Sequence, residues 1–305
     1  MRVFVTGASG WIGSAVVPEL IGSGHQVVGL ARSDASAAAL TAAGVEVQSG
    51  TLDDLDTLRD VAAKSDAVIH LAFKHDLVYS GDFQSAAEAD RRAVEAFGEV
   101  LAGTDRPFLI ASGTLGLAQG VLATEADGHE PVPASATGPM ARRATAQFTL
   151  SLATKGVRAS VVRLPPTVHG DGDNGFMASI VRAARDKGVS AYIGDGTNRW
   201  PATHRLDVAH LFRVAFEGAP AGSTLHAVAD EGVSFREIAE VIGRHLDVPV
   251  VSISTEEAGD QFGVLAHFVA LDSPASSALT RDLLGWQPTH AGLIADLEEG
   301  HYFRD

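Results

Sequence analysis

The amino-acid sequence predicts an α/β fold, a doubly wound parallel sheet with a smaller, closely packed C-terminal part. Three observations carry this. Short β-branched apolar runs alternate with helix-length segments through the first half. Those runs are nearly continuous in apolar character, which is how strands buried on both faces look. The first of them leads straight into Gly7, Gly10 and Gly13, spaced three apart and followed by a helical pattern. Together they describe a Rossmann-type arrangement.

The strands read in order as VFVTG (3–7), QVVGLA (26–31), VEVQSG (45–50), AVIHLAF (67–73), PFLIAS (107–112) and ASVVRL (159–164). Helical patterns fill the intervals at 11–22, 35–43, 54–63, 84–102 and 140–155. Strand–helix–strand repetition implies right-handed crossovers and parallel neighbours. After about residue 165 the rhythm changes. Loops rich in Gly and Pro appear, PPTVHGDGDNG and GDGTNRWP, with helices near 176–187, 205–217 and 234–246. TLHAVA (224–229) reads as a late strand able to rejoin the sheet. The expected division is a dinucleotide-binding domain over 1–165, which segments near 200–230 rejoin, and a mainly substrate-binding part over 166–305, with a cleft between them.

Composition narrows the function. The chain has 305 residues, 46 % apolar and 20 % charged, ordinary values for a soluble globular enzyme. A net charge of −15 argues against nucleic acid as a partner. With no cysteine, disulfides, thiolate nucleophiles and cysteine-bound metals are excluded. No signal peptide and no run of 18 apolar residues is seen, so the expectation is a cytoplasmic protein without a membrane span, acting on a small molecule. A homodimer is an open alternative for its assembly. No metal is expected: GDGDNG (170–175) lacks the distal glutamate of a calcium loop and reads as a polar loop.

The glycines have distinct tasks. Gly7 allows the tight turn, Gly10 lets a pyrophosphate approach the backbone, and Gly13 lets helix and strand pack closely. Ser9, Trp11 and Ile12 lie between them and are candidate cofactor contacts. Free N–H groups at the start of the helix favour phosphate. About twenty residues on, at the end of the second strand, stands Arg32, where NAD-binding chains carry an acid. A guanidinium fork suits the 2′-phosphate of NADP(H), and Ser33 adds a neutral donor. The expected cofactor is therefore NADP(H).

The set TGASGWIG (6–13), GTLDD (50–54), VIHLAF (68–73), LIASGT (109–114), VVRLPPTVHGDGD (161–173), THRLDVAHL (203–211) and LLGWQP (283–288) resembles the extended and atypical short-chain dehydrogenase/reductases, the NAD(P)-dependent epimerase/dehydratase-like family. The order is kept over nearly the whole chain. The resemblance implies further cofactor contacts. Leu52 and Asp53 match the adenine-side loop; Leu71, Ala72 and Phe73 match the turn beside the ribose and phosphates; Pro165 to Val168 match the segment beside the nicotinamide.

The family's usual catalytic pair is a Tyr with a Lys four residues later. None of Tyr79, Tyr192 and Tyr302 precedes a Lys in this way. By resemblance the lysine slot falls at or next to Arg142 and the tyrosine slot near Gly138. Arg142 is a candidate for the ribose hydroxyls, although a guanidinium cannot do all that a lysine does. The serine or threonine of the family that bonds the substrate oxygen corresponds to Ser112 or Thr114, with Thr114 expected toward substrate and Ser112 toward cofactor. For the missing proton donor, His75 ranks first, since it follows VIHLAF at the carboxyl edge of the sheet and its ordinary pKa suits neutral pH. His169, Tyr192 and His204 follow, and with Trp200 they are expected to shape the substrate pocket.

The leading expectation is an NADPH-dependent reductase of a small ketone, aldehyde or imine. The alternatives are an NADP-binding sensor or scaffold without catalysis, and a sugar-nucleotide epimerase or dehydratase.

Overall fold

The computed structural model describes residues 1–133 and 135–304, with Tyr79 described by its backbone alone. The first half supplies β1 (Arg2–Thr6), α1 (Gly13–Gly22), β2 (Gln26–Ala31), α2 (Asp34–Ala42), β3 (Glu46–Ser49), α3 (Leu55–Ala63), β4 (Ala67–His70), α4 (His75–Tyr79), α5 (Phe83–Leu101), β5 (Pro107–Gly113), α6 (Pro139–Ser151) and β6 (Arg158–Leu164). The second half supplies β7 (Thr167–His169), α7 (Phe176–Lys187), β8 (Ser190–Ile193), β9 (Arg199–His204), α8 (Arg205–Gly218), β10 (Ser223–His226), β11 (Asp230–Ser234), α9 (Phe235–Leu246) and β12 (Val250–Ile253).

Seven strands form the central sheet in the order β10-β6-β5-β4-β1-β2-β3, and every pairing in it is parallel. Alternation of side chains along each strand divides the core in two. Val3, Val5, Val27 and Ile69 face a layer made by α1, α2 and α8, with Leu20, Leu40 and Phe212 buried in it. Phe4, Val28, Val68 and Phe108 face the opposite layer of α3, α5 and α6, with Leu58, Phe97 and Ala146. Strands covered on both faces explain the uninterrupted apolar runs in the sequence. Strand order reverses between β1 and β4, so a crevice opens outside their carboxyl ends.

The late strand is shorter than its sequence pattern suggests, ending at His226, and it pairs in parallel with β6 at the sheet edge. The fourth strand likewise ends at His70, not Phe73; the N–H groups of Leu71 and Ala72 turn back to the Thr6 carbonyl and hydroxyl, which releases 71–73 into the crevice. The short helix α4 has no counterpart in the sequence reading. The helix expected over 140–155 ends at Ser151 and tightens into a 3-10 turn, stopped by Gly156 at φ 70°.

The rest of the second half builds its own core. β9 pairs with β7 in parallel and with β11 in antiparallel fashion, while β8 and β12 form a separate parallel pair. Trp200, Phe235, Met177 and Ile180 are buried together between α7 and α9. A reciprocal cap between Ser234 and Glu237 starts α9.

Candidate active site

One cavity of about 1310 Å³ runs along the carboxyl ends of β1, β4, β5 and β6. The glycine loop forms one end. Gly7 has φ +70°, and a Cβ there would lie 2.7 Å from the Ala72 nitrogen. A Cβ on Gly13 would lie 2.1 Å from the Gly7 carbonyl oxygen. Both positions therefore require glycine, for sterics alone. The N–H groups of Trp11, Ile12 and Gly13 find no acceptor within the chain among the described residues. They stand at the start of the ten-residue α1, where the helix dipole favours phosphate. This cradle fits the pyrophosphate of a dinucleotide.

Ser9, Gly10, Trp11 and Ile12 all line the cavity. Leu52 and Asp53 line it beyond β2. Asp53 receives Lys74 at 2.5 Å and Arg92 at 3.2 Å, and the Lys74 contact chiefly holds its carboxyl below the usual range. Arg32 stands at the rim with 70 % of its side chain exposed. Its ion pair is with Asp76 of α4, at 3.7 Å, an acid the sequence reading did not consider. Ser33 does not line the cavity; its hydroxyl caps α2 by accepting from the Ser36 nitrogen.

At the other end Ser112, Arg142, Phe73 and His75 come together in the same cavity wall. The Arg142 guanidinium lies 4.0 Å over the Phe73 ring and donates to the Ala111 carbonyl at 2.8 Å. Behind it runs a buried polar chain. Ala72 N–H donates to the Thr6 hydroxyl, which is hydrogen-bonded to His70 Nδ1 at 2.7 Å. His70 Nε2 is hydrogen-bonded to Asp90 at 3.2 Å, and the second Asp90 oxygen lies 4.0 Å from Arg142 Nε. Burial by itself would raise the Asp90 pKa, but Arg142 and His70 outweigh it and hold the carboxyl below its ordinary range. Sequence reasoning missed this chain. Its signal was an acid on the alanine-rich buried face of α5, at Ala86, Ala89, Asp90 and Ala93.

His75 keeps much of its surface in water, yet one side of its ring packs against Phe73 with centroids 5.3 Å apart. Desolvation on that side, and then the charge of Arg142, lower its pKa.

Several expected positions are corrected. Thr114 is buried, is not part of the cavity wall, and its hydroxyl has no hydrogen-bond partner among the described residues. Ser112 is the strand-end hydroxyl residue that lines the cavity. His169, Tyr192, Trp200 and His204 do not line it either. The pairing of β7 with β9 places His169, Trp200 and His204 in the second-half core instead. His169 is wholly buried and bonded through Nδ1 to Asp296 at 2.9 Å. Trp200 packs edge-on against Phe235. Tyr192 packs beneath Arg236. His204 stacks on His290 at 4.8 Å and caps α8 by accepting from the Leu206 nitrogen. Burial, then His169, push its pKa down to about 4.

From this half the cavity takes Asp173, Asn174, Phe176 and Met177, together with Leu265 and Phe268. Pro165 and Val168 also line it. Asp173 accepts from the Gly175 nitrogen at 2.7 Å and from the Tyr302 hydroxyl at 2.9 Å, and burial raises its pKa. Away from the cavity, Asp296, Glu299 and His301 place three donor atoms within 4.8 Å of one another, the spacing a metal ion needs, which the sequence reading did not anticipate. No helix among the described residues is long and apolar enough to cross a membrane.

The sheet order and the cavity at its switch point define a Rossmann-type α/β protein of the extended short-chain dehydrogenase/reductase kind. The chain belongs to the NAD dependent epimerase/dehydratase family, whose model matches residues 3–227. It is 51 % identical to the uncharacterized protein C2A9.02 of Schizosaccharomyces pombe, over 99 % of this chain and 100 % of that one. It is 29 % identical to a 2-alkyl-3-oxoalkanoate reductase of Stenotrophomonas maltophilia, over 73 % of this chain and 67 % of that one. Among solved structures, the dTDP-glucose 4,6-dehydratase DesIV of Streptomyces venezuelae, bound to NAD, superposes with a TM-score of 0.76 at 18 % identity, covering 98 % of this chain and 96 % of that one. That likeness shows the fold.

Proposed function

We propose that the protein is an NADPH-dependent reductase of a small carbonyl or imine compound. The observation that carries this is continuity: the glycine cradle, Arg32 at the rim and the Ser112–Arg142 end all open into one cavity. The relative named as a 2-alkyl-3-oxoalkanoate reductase supports the reaction class.

NADPH, when bound, would supply the hydride for the substrate carbon. Gly7 to Gly13 would hold its pyrophosphate, and Arg32 would pair with its 2′-phosphate. Arg142, positioned by Asp90 and by the Phe73 ring, supports the ribose hydroxyls and stabilises negative charge that develops on the substrate oxygen. Ser112 donates a hydrogen bond to that oxygen. His75, at the mouth of the site, relays the proton from water to it.

A second reading rests on a specific observation. No tyrosine is among the described residues that line the cavity. A protein that senses NADP(H) without turnover would look the same at the cofactor end. Incubation with NADPH and a panel of ketones, aldehydes and cyclic imines separates the two. The reductase reading requires absorbance loss at 340 nm that Ser112→Ala and His75→Ala abolish. Tight NADPH binding with no oxidation across the panel would establish the sensor.

A further inference from the structure

Near its end the chain carries a cluster of side chains that the proposed reaction does not use. A short helix, Leu293–Glu298, buries Leu293 and Leu297 and turns Asp296 inward with them, 2 % exposed. Gly300 then reverses the chain at φ 80°, and the 3-10 turn His301–Phe303 brings the His301 ring back beside Asp296. One donor atom each from Asp296, Glu299 and His301 lies within 4.8 Å of the other two.

Acids close together are common without a ligand, so the imidazole is what singles out this cluster. The His301 side chain is 4 % exposed, and its buried Nε2 has no hydrogen-bond partner among the described residues. That nitrogen faces Asp296 Oδ2 at 3.6 Å, too far for a hydrogen bond. A buried polar atom left this way is costly and calls for a partner. The same gap suits two atoms bound to one ion. At zinc–ligand distances of about 2.0–2.2 Å, tetrahedral ligand atoms stand roughly 3.3–3.6 Å apart.

The other two groups fit as well. Asp296 is already oriented, because its Oδ2 is hydrogen-bonded to His169 Nδ1 at 2.9 Å, the kind of outer contact that fixes a ligating carboxylate. Glu299 is exposed, so its carboxylate can close on the other two and gives an ion its way in. The cations nearby, Arg244 and His245, are paired with Glu298 instead.

We propose that Asp296, Glu299 and His301 bind one divalent transition-metal ion of the zinc type, with water completing its coordination. An imidazole with two carboxylates favours such an ion over magnesium or calcium, which take oxygen ligands. The role is structural. Tyr302, next in the chain, donates its hydroxyl to Asp173 at 2.9 Å and accepts from the Gly170 nitrogen at 3.3 Å, so a bound ion braces the loop that brings Asp173 to the cavity wall. The site stands whether or not the protein is a reductase.

The full-length protein is stripped with a chelator, desalted, and titrated calorimetrically with zinc, manganese and magnesium chlorides. Zinc binds one per chain with a Kd of about 1 μM or tighter, manganese more weakly, and magnesium not detectably. Glu299→Gln and His301→Gln each weaken zinc binding at least about tenfold. Zinc raises the melting temperature of the parent protein and not of either variant. Glu299 is exposed, so Glu299→Gln decides the matter even where His301→Gln folds poorly. His245→Gln removes the imidazole beside Glu298 and leaves zinc affinity within about twofold of the parent. Binding that follows His245→Gln rather than Glu299→Gln assigns the ion to an adventitious surface site and overturns the inference. Absence of zinc binding overturns it too, and leaves Asp296 and His301 as an ion pair without a metal.

Discussion

The indole Nε1 of Trp11 donates to the carbonyl of Val168 at 2.8 Å, tying the glycine loop to the strand that follows β6. Arg205 stacks over the same indole at 4.4 Å. The cofactor cradle and the second half of the chain are therefore coupled through one side chain. Trp200 and Trp286 are fully buried, whereas Trp11 lines the cavity. Addition of NADPH is expected to quench tryptophan emission, and Trp11→Phe to remove most of that change. The lost hydrogen bond lowers stability by about 1 kcal/mol, read from denaturant unfolding. Full quenching in Trp11→Phe would show that Trp11 is not the side chain that reports cofactor binding.

Arg32 forms an ion pair with Asp76 at 3.7 Å, so under the proposed function Asp76 competes with the 2′-phosphate for the guanidinium. Arg32→Ala is expected to weaken NADPH binding by about 10- to 100-fold, the equivalent of one or two charge-assisted bonds, and NADH binding by less than about twofold. Asp76→Asn should tighten NADPH binding, because the guanidinium no longer has a carboxylate at 3.7 Å. Equal losses for both cofactors with Arg32→Ala would remove the 2′-phosphate role.

Gly13→Ala places a methyl group 2.1 Å from the Gly7 carbonyl oxygen, a distance that forces the loop apart. Cofactor binding is expected to disappear, while far-ultraviolet circular dichroism is retained. Near-normal NADPH affinity in this variant would mean the loop has a different shape.

Asp90 joins His70 to Arg142 inside the protein. Asp90→Asn removes a charge from that chain and is expected to cost about 1.5–3 kcal/mol in urea unfolding, as loss of a charged hydrogen bond does. Arg142 then loses its anchor, so turnover falls and NADPH binding weakens with it, because Arg142 is the group proposed to support the ribose hydroxyls. An unchanged unfolding midpoint would show that the chain does not hold.

Two histidines predict acid sensitivity. His204 is held down to about 4 and His226 is also lowered by burial, so the fold keeps both neutral where the unfolded chain protonates them at about 6.5. The unfolded state binds more protons in that window, so stability falls as pH drops from 6.5 toward 4. The slope is at most about 1.4 kcal/mol per pH unit for buried His226 and smaller for half-exposed His204. His226→Asn should flatten the dependence of the melting temperature on pH. An identical slope in that variant would assign the sensitivity to other groups.

The cofactor end was legible in the sequence because it is local. A tight turn, one open backbone and one close helix–strand contact fall within seven consecutive residues, and glycine is the residue type each demands. Arg32 was legible for the same reason, since strand length sets where it emerges. The substrate end was not. Ser112 and Thr114 stand two apart on one strand end, and only the course of the chain after β5 decides which of them meets the cavity. His169, Trp200 and His204 looked like pocket residues on chemistry alone, but the pairing of β7 with β9 turns them into a second core. Arg143, Arg163 and Asp173 carry no local signature that separates a buried or cavity-lining charge from a solvated one, and for Asp90 the only local signal is its place on the alanine-rich face of α5.

By itself, then, the sequence determined the sheet, its crossovers and the phosphate cradle, because periodicity and glycine sterics act over a few residues. Tertiary structure alone decided which charges face one another across the cavity. Arg143 and Arg163 are twenty residues apart, on a helix and a strand, and the packing of α6 against β5 and β6 brings their guanidinium groups to one point beside Gly128.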